Sequence, residues 1–508
     1  MARIVMNDAI NEKILMSQTE KLHTQETEDT SYRHVLKYTG IFGSVQGLKM
    51  LVSIVRNKLT VYLLGVTALG LISVYSAISE FVASCTNFGL PLNATREASE
   101  LFEAKATPLR ISHFACIVRT WALWTSFLSV LFCALMSPLL SYGFFEHDWH
   151  HWPEVIYLVP IIVSLIVSGA ECSLLKGLRQ LRRVAKIETL SAVVTLLLTI
   201  PFYYIWQLRG IIVGLVASSV AVCFIHLYYS VGVVPYRALP FSRRIYRAGW
   251  PMIRRGIPYV LSGIVNSGVA MLIPMLILQV SSMNEVGYYR AGYYLMVAYS
   301  GLIFVALESD YYPRLSAVNH DIFKVNQTVN QQIDVSLRLI SPFLILFIIC
   351  MPWIVPLLYE SDFIVILGMT VCAVYYMFFR SIMLPVSYTT LARGDSVLFL
   401  CLEVISGAIL PFLIWYFYRR FGLDGAGAAF SISSLADMVV SYFVCHLRYG
   451  LRLSRQTWVN AFFFFCCLSL TVGAWLLTDG WQRYLVAFAS LLLSGSYSFN
   501  GLIKRIKG

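Results

Sequence analysis

Long apolar runs alternate with short polar turns along the whole chain. Fourteen stretches long enough to cross about 30 Å of hydrocarbon centre near residues 53, 79, 125, 165, 194, 221, 267, 298, 346, 377, 407, 434, 467 and 492. None shows the two-residue alternation of a barrel strand, so the pattern predicts membrane-spanning helices. Inside two of them, polar positions recur at helical steps. Span 1, roughly 41–65, carries Gln46, Lys49, Ser53, Arg56 and Thr60; span 2 carries Ser73, Ser76, Glu80, Ser84 and Asn87. Steps of three and four place each set on one helix face. A charge near mid-bilayer costs about 2.5–3.5 kcal/mol on insertion scales, so these faces predict a water-accessible interior cavity.

Composition agrees: of 508 residues 58% are hydrophobic and 13% charged, and the mean hydropathy is +0.70. The chain is expected to be an all-α, polytopic membrane protein. Its net charge of +12 reports topology and implies no nucleic-acid partner. Turns after even-numbered spans hold Lys176, Arg179, Arg182, Arg183 and Lys186, then Arg237, Arg243, Arg244, Arg247, Arg254 and Arg255, then Arg448, Arg452 and Arg455. By the positive-inside rule these are cytoplasmic and both termini lie inside. The segment from Ser141 to Pro153 and the turns at Asn284-Glu285 and Glu360-Asp362 lack basic residues and belong outside; Arg419, Arg420 and Arg483 run against the pattern. The polar residues 1–37 contain no signal-peptide core and read as a cytoplasmic extension. Most of the eleven cysteines sit inside spans as small core residues. No turn is long enough for an extramembrane domain, and neither a GxxxxGK[ST] loop nor an HExxH motif occurs, so a transporter is expected and not an enzyme.

A weak internal repeat is visible. Gly40-Ile41 and Gly256-Ile257 open spans 1 and 7, and each is followed by a related turn, Ala68-Leu69-Gly70-Leu71 and Glu285-Val286-Gly287-Tyr288. Six helices per repeat make the copies parallel about an axis along the membrane normal. This predicts an N-lobe of spans 1–6 (38–236), a C-lobe of spans 7–12 (237–452), and two extra C-terminal spans (453–508).

The run Thr39-Gly40-Ile41-Phe42-Gly43-Ser44, continuing through Ile54-Val55-Arg56-Asn57-Lys58 to Leu64-Gly65 and Leu69-Gly70-Leu71, resembles the opening of Wzx-type O-antigen and lipid III flippases. Those belong to the multidrug/oligosaccharidyl-lipid/polysaccharide (MOP) exporter superfamily. Thr86-Asn87-Phe88-Gly89-Leu90 with Arg96-Glu97, Val286-Gly287-Tyr288-Tyr289-Arg290-Ala291, and Asp310-Tyr311-Tyr312-Pro313-Arg314-Leu315-Ser316-Ala317-Val318 are similar to the same family. The resemblance implies two lobes, alternating access, and transfer of an undecaprenyl-diphosphate-linked oligosaccharide between leaflets of the bacterial inner membrane. No cofactor is implied; partners would be that substrate, membrane lipids, and a polysaccharide polymerase and chain-length regulator.

Such cargo needs fixed positive charge and hydrogen-bond donors in the hydrocarbon. Counted at about 1.5 Å per residue, Arg56 falls near the midplane, Lys49 nearer the cytoplasm, and Glu80 between them, where it could pair with either. Arg290 opens span 8 among Tyr288, Tyr289, Tyr293 and Tyr294, near enough to the outer edge to snorkel into water. Arg380 lies deep in span 10, one turn from Tyr376 and two from Ser387. Lys49, Arg56, Glu80, Arg290, Tyr376 and Arg380 are therefore the candidate substrate residues. Arg119 in span 3 is a weaker one, and Lys58, Trp121, Trp124, Trp149 and Trp152 include interface anchors. Glu403, Asp437 and Asn266, with Ser262, are candidates for a coupling ion, Na+ or H+, or for plain interhelical hydrogen bonds. Glu171 and Glu188 read as charge-balancing partners. A multidrug cation antiporter, a lipid II flippase and a non-transporting assembly scaffold are the competing functions.

Overall fold

In the computed structural model the described residues are 45–144, 152–240, 242–299, 301, 304, 311–312, 314–478 and 480–507. The 1–37 extension, the Gly40-Ile41 repeat opening, and Asp310 and Pro313 of the long motif lie outside them. Among the described residues all regular structure is helical. In chain order it comprises α1 (45–64), α2 (Val66–Thr86), α3 (Leu90–Glu103), α4 (Pro108–Phe144), α5 (Trp152–Ile156), α6 (Val159–Gly177), α7 (Leu181–Trp206) and α8 (Gly210–Val231). There follow α9 (Arg243–Leu278), α10 (Met283–Tyr293) with a π-helical continuation Tyr294–Tyr299, α11 (Ile322–Leu358), α12 (Ile366–Ala392), α13 (Ser396–Tyr449), α14 (Arg455–Leu477) and α15 (Trp481–Lys507).

Nine helices among the described residues are long and apolar enough to cross a bilayer, and two of them hold two crossings each. Leu181–Val231 is interrupted by a 3-10 turn at Gln207–Arg209. The 54-residue α13 breaks at Gly422, whose φ of 58° suits a residue without a Cβ. Together these give eleven crossings; α1, α10 with its continuation, and α15 supply the other three of the fourteen expected.

Helix α3 is an addition to the expected plan. Its Asn87-Phe88-Gly89 lead-in turns sharply, with Gly89 at φ 64° and its N–H donating 2.8 Å to Asn87 Oδ1. Leu90, Ala94 and Ala98 are buried on one face, whereas Arg96 and Glu100 pair on the solvated face at 3.2 Å. An amphipathic surface helix of this kind carries too many charges to register as a span.

The turns rich in Lys and Arg gather at one end of the bundle, called here the basic end. Against that pattern, Arg419 and Arg420 lie near the Gly422 break at the opposite end. Their guanidinium carbons sit 4.8 and 4.5 Å from the ring centroids of Trp415 and Tyr416. Arg483 lies likewise over Trp475 at 4.6 Å, so aromatic faces hold the exceptions to the charge rule.

The opposite end is closed where α2 meets α10. Gly70 packs against the Met283 carbonyl and Gly287 against the Val66 carbonyl, so closely that a Cβ on either glycine would overlap that oxygen. Between them Thr67 Oγ1 donates to Asn284 Oδ1 at 2.6 Å. Apolar side chains from both lobes, including Val61, Leu69, Leu295 and Phe363, bury together beside this contact.

The two C-terminal helices pack on α11 through a buried polar cluster. Arg338 reaches Asp334 at 3.3 Å and the Tyr497 carbonyl at 3.0 Å, its guanidinium lying over the Tyr497 ring. Tyr497 donates 2.6 Å to Asn460 Oδ1, and Asn460 Nδ2 donates to Asp334.

Candidate functional site

Between the lobes lies a cavity of about 860 Å³, running from the closed end toward the basic end. Its lining brings together eight of the nine residues singled out from the sequence: Arg56, Glu80, Asn266, Arg290, Tyr376, Arg380, Glu403 and Asp437. Their partners differ, and the difference divides them by chemistry.

Arg56 projects from α1 half-buried, with no carboxylate within 4 Å among the described residues. Arg290 is only 9% exposed, with its guanidinium carbon 5.3 Å from the Tyr294 ring centroid. It therefore does not snorkel into water as its position near the start of span 8 suggested. The π-helical continuation, which brings Tyr294 against it, faces the cavity with Tyr294 and Val297. Arg380 donates 2.7 Å to the Tyr376 hydroxyl and lies 5.6 Å from that ring's centroid. Behind it Tyr289, Tyr293 and Tyr376 surround Phe430, with centroid separations of 6.2, 5.9 and 5.6 Å. Rings of this kind fix a guanidinium while leaving its donors turned to the cavity.

Glu403 and Asp437 accept from neutral donors. Asn266 Nδ2 donates 2.8 Å to Glu403 Oε2 and 3.1 Å to the Ser262 carbonyl. Ser406 Oγ donates 2.7 Å to Asp437 Oδ2. Ser406 was missed in the sequence, though it stands three residues beyond Glu403 on the same face. Phe430 was missed too, because a phenylalanine in an apolar span carries no signal of its own.

Lys49 does not line the cavity. Its ammonium pairs with Glu188 on α7, side chains 139 residues apart in sequence, so of the two partners open to Glu80, Lys49 is engaged elsewhere. No arginine stands within 4 Å of Glu80 among the described residues, and its carboxylate opens onto the cavity. Of the span 1 stripe only Arg56 reaches the cavity, whereas every member of the span 2 stripe meets cavity space. Lys49 turns instead to Glu188 on α7, while the α2 stripe faces the cleft along its whole length.

Arg119 is structural. It is 2% exposed and forks onto Glu171, 1% exposed, at 2.8 and 3.0 Å, while also donating to the Pro235 and Val234 carbonyls at 2.7 and 3.2 Å. Glu171 and Glu188 thus balance charge, but against Arg119 and Lys49 and not the arginines of the turns. Lys58, at the opposite end, donates 2.7 Å to the Leu357 carbonyl.

Two helical lobes around a polar cleft, closed at one end, define a multi-pass, all-helical membrane protein. A profile of the family described as "Polysaccharide biosynthesis protein" matches residues 61–367, more than half of the chain, and the protein belongs to that family. Among solved structures, "Lipid II flippase MurJ, inward closed conformation" superposes with a TM-score of 0.65 at 14% identity, covering 91% of this chain and 99% of that one. An inward-facing multidrug resistance MATE family transporter gives 0.62 at 16% identity, covering 79% and 94%. An outward-facing MATE transporter gives 0.56 at 14% identity, covering 81% and 95%. These likenesses establish the fold. No curated protein matches the sequence significantly.

Proposed function

We propose that the protein moves an undecaprenyl-diphosphate-linked oligosaccharide, an O-antigen or related surface-polysaccharide repeat unit, across the bacterial inner membrane by alternating access. The observation that carries this reading is the set of three arginines on α1, α10 and α12 converging on one cavity. Three fixed cations on both lobes suit an anion with several oxygens, because guanidinium binds phosphate bidentately and keeps its charge at every physiological pH. A cation antiporter would gain nothing from them. Three carboxylates also line the cavity, and two of them, Glu403 and Asp437, accept from amide and hydroxyl donors.

In this reading the basic end is cytoplasmic, both termini lie there, and residues 38–236 and 237–452 move as lobes with 453–508 attached to the second. Lys49 contributes to the cytoplasmic approach through its charge. The diphosphate engages Arg56, Arg290 and Arg380 beside Glu80 and Tyr376, and opening of the α2–α10 contact releases it outside. Glu403, Asp437 and Asn266 serve a coupling Na+ or H+, since carboxylate and amide oxygens on α9 and α13 face the same space. A polymerase and chain-length regulator receive the product.

The test is surface-polysaccharide display in cells whose only copy of the gene carries Arg56→Ala or Arg380→Ala. Display should fall at least tenfold, as expected for losing a charge-assisted contact of about 1.5–3 kcal/mol. Undiminished display in both variants, with normal protein levels, rejects the anion site. Growth failure with peptidoglycan-precursor build-up would reassign the cargo to lipid II.

A further inference from the structure

A second space opens off the central cavity. It has a volume of about 400 Å³ and is bounded by α2, α6, α9 and the start of α3. It shares Glu80, Asn266 and Ala270 with the large cavity, so the two are continuous. Its size falls in the range of small-ligand sites, about 300–1,000 Å³. The central cavity carries three arginines, and this chamber carries none; Glu80 is the one charged residue in its lining among the described residues.

One wall is polar and unsaturated. The Ser84 hydroxyl and the Glu80 carboxylate have no hydrogen-bond partner among the described residues. Asn87 uses Oδ1 on the Gly89 N–H and leaves its amide N–H2. Asn266 spends Nδ2 on Ser262 and Glu403 and leaves Oδ1, while Ser267 donates to the Gly263 carbonyl and keeps its lone pairs. The other wall, from α6, is apolar, with Leu165 and Ile166. Mixed donors and acceptors facing an aliphatic wall match a pyranose, whose hydroxyls both donate and accept and whose C–H face is apolar. A lipid tail would leave the polar wall unsatisfied. A phosphate inside the chamber would meet a lining that carries a carboxylate and no cation, whereas the arginines wait in the central cavity.

Resting on the flippase reading above, we propose that this chamber is the glycan subsite: it holds the uncharged, hydroxyl-rich sugar next to the diphosphate. Glu80, at the junction, rejects a sugar that carries a carboxylate at that position. Selection here is a repulsion as much as a fit.

The test uses the full-length purified protein and three probes: farnesyl diphosphate, farnesyl diphosphate-linked glucose, and farnesyl diphosphate-linked glucuronic acid. Glucose should tighten binding about tenfold over the bare diphosphate, the worth of one or two net hydrogen bonds. Ser84→Leu and Ser267→Leu should each abolish that increment; Ser84→Ala with Ser267→Ala replaces them if either fails to fold. The glucuronic acid probe should bind more weakly than the glucose probe, and Glu80→Gln should remove the difference. An increment that survives the serine substitutions, no increment in the native protein, or discrimination unchanged by Glu80→Gln overturns the subsite. Failure of the flippase reading looks different: Arg380→Ala would then leave binding of bare farnesyl diphosphate untouched.

Discussion

Thr67 and Asn284 meet where α2 and α10 close the cleft. Their 2.6 Å hydrogen bond joins residues 217 apart, and the same step relates Gly70 to Gly287 and Val66 to Met283, the glycines and the carbonyls they touch. Each lobe therefore offers a bare glycine to the other lobe's backbone, with the hydrogen bond between the two contacts. The closure thus has the same arrangement read from either helix, as a parallel repeat would produce.

Side chains at these glycines should hold the closed end apart. In a cysteine-free background with Ser73→Cys as reporter in the cavity, Gly70→Leu or Gly287→Leu should speed labelling by a membrane-impermeant maleimide added from the closed face. Real Cβ atoms do not approach a carbonyl so closely, so the helices must separate. Labelling rates equal to the parent would show that the contact does not control access.

Breaking the buried Arg119–Glu171 pair should destabilise the fold rather than the transport step. Arg119→Ala leaves a carboxylate that is 1% exposed without its fork, a loss of about 3–5 kcal/mol for a buried pair. The paired change Arg119→Leu with Glu171→Leu should cost much less, because no orphan charge remains. Thermal unfolding of the solubilised protein checks this ordering, and binding of the bare diphosphate probe should survive in whatever fraction stays folded.

How far the sequence spoke depended on whether a residue's partner was itself marked. The span 2 stripe was legible because all five members face the cleft and each is polar on an apolar helix. Gly70 and Gly287 stood out in the sequence at equivalent turns, and both are forced by contact. Lys49 was misplaced because its partner, Glu188, sits 139 residues away and periodicity says nothing about which neighbouring helix a face meets. For Arg290 depth along the helix left two readings open, and its burial against Tyr294 in the cavity lining became visible only in the fold. The chamber beside Glu80 was invisible, since its apolar wall on α6 is sequence-silent.

At the basic end Asp395 caps α13 and gathers three donors. It accepts from the Leu398 N–H at 3.4 Å, the Tyr449 hydroxyl at 3.1 Å and Arg448 at 3.1 Å. Burial pushes the Asp395 carboxyl up, but these hydrogen bonds and the Arg448 charge outweigh it and hold it below the usual aspartate range. A depressed folded value means the stabilisation is present above the unfolded value, about 3.9, and is lost as pH falls through the folded one. The stability gap between the native protein and Asp395→Asn should therefore be flat from pH 5 to 8 and close only below about pH 4. Thermal melts across that range decide it; a gap that closes near pH 6 would implicate another group.

The Lys49–Glu188 pair separates a structural cation from a transporting one. Both side chains are partly exposed, at 37% and 26%, so the pair contributes on the order of 0.2–1 kcal/mol. Lys49→Ala should reduce polysaccharide display far less than Arg56→Ala, although both residues belong to one stripe on one helix. The reversal Lys49→Glu with Glu188→Lys keeps the pair and moves the cation from α1 to α7, so display should return close to the native level. Arg56 has no carboxylate with which to trade, and no reversal partner should rescue it. If Lys49→Ala matched Arg56→Ala and the reversal failed to restore display, Lys49 would belong to the substrate path, and α1 would have to turn its basic half toward the cleft in another state of the cycle.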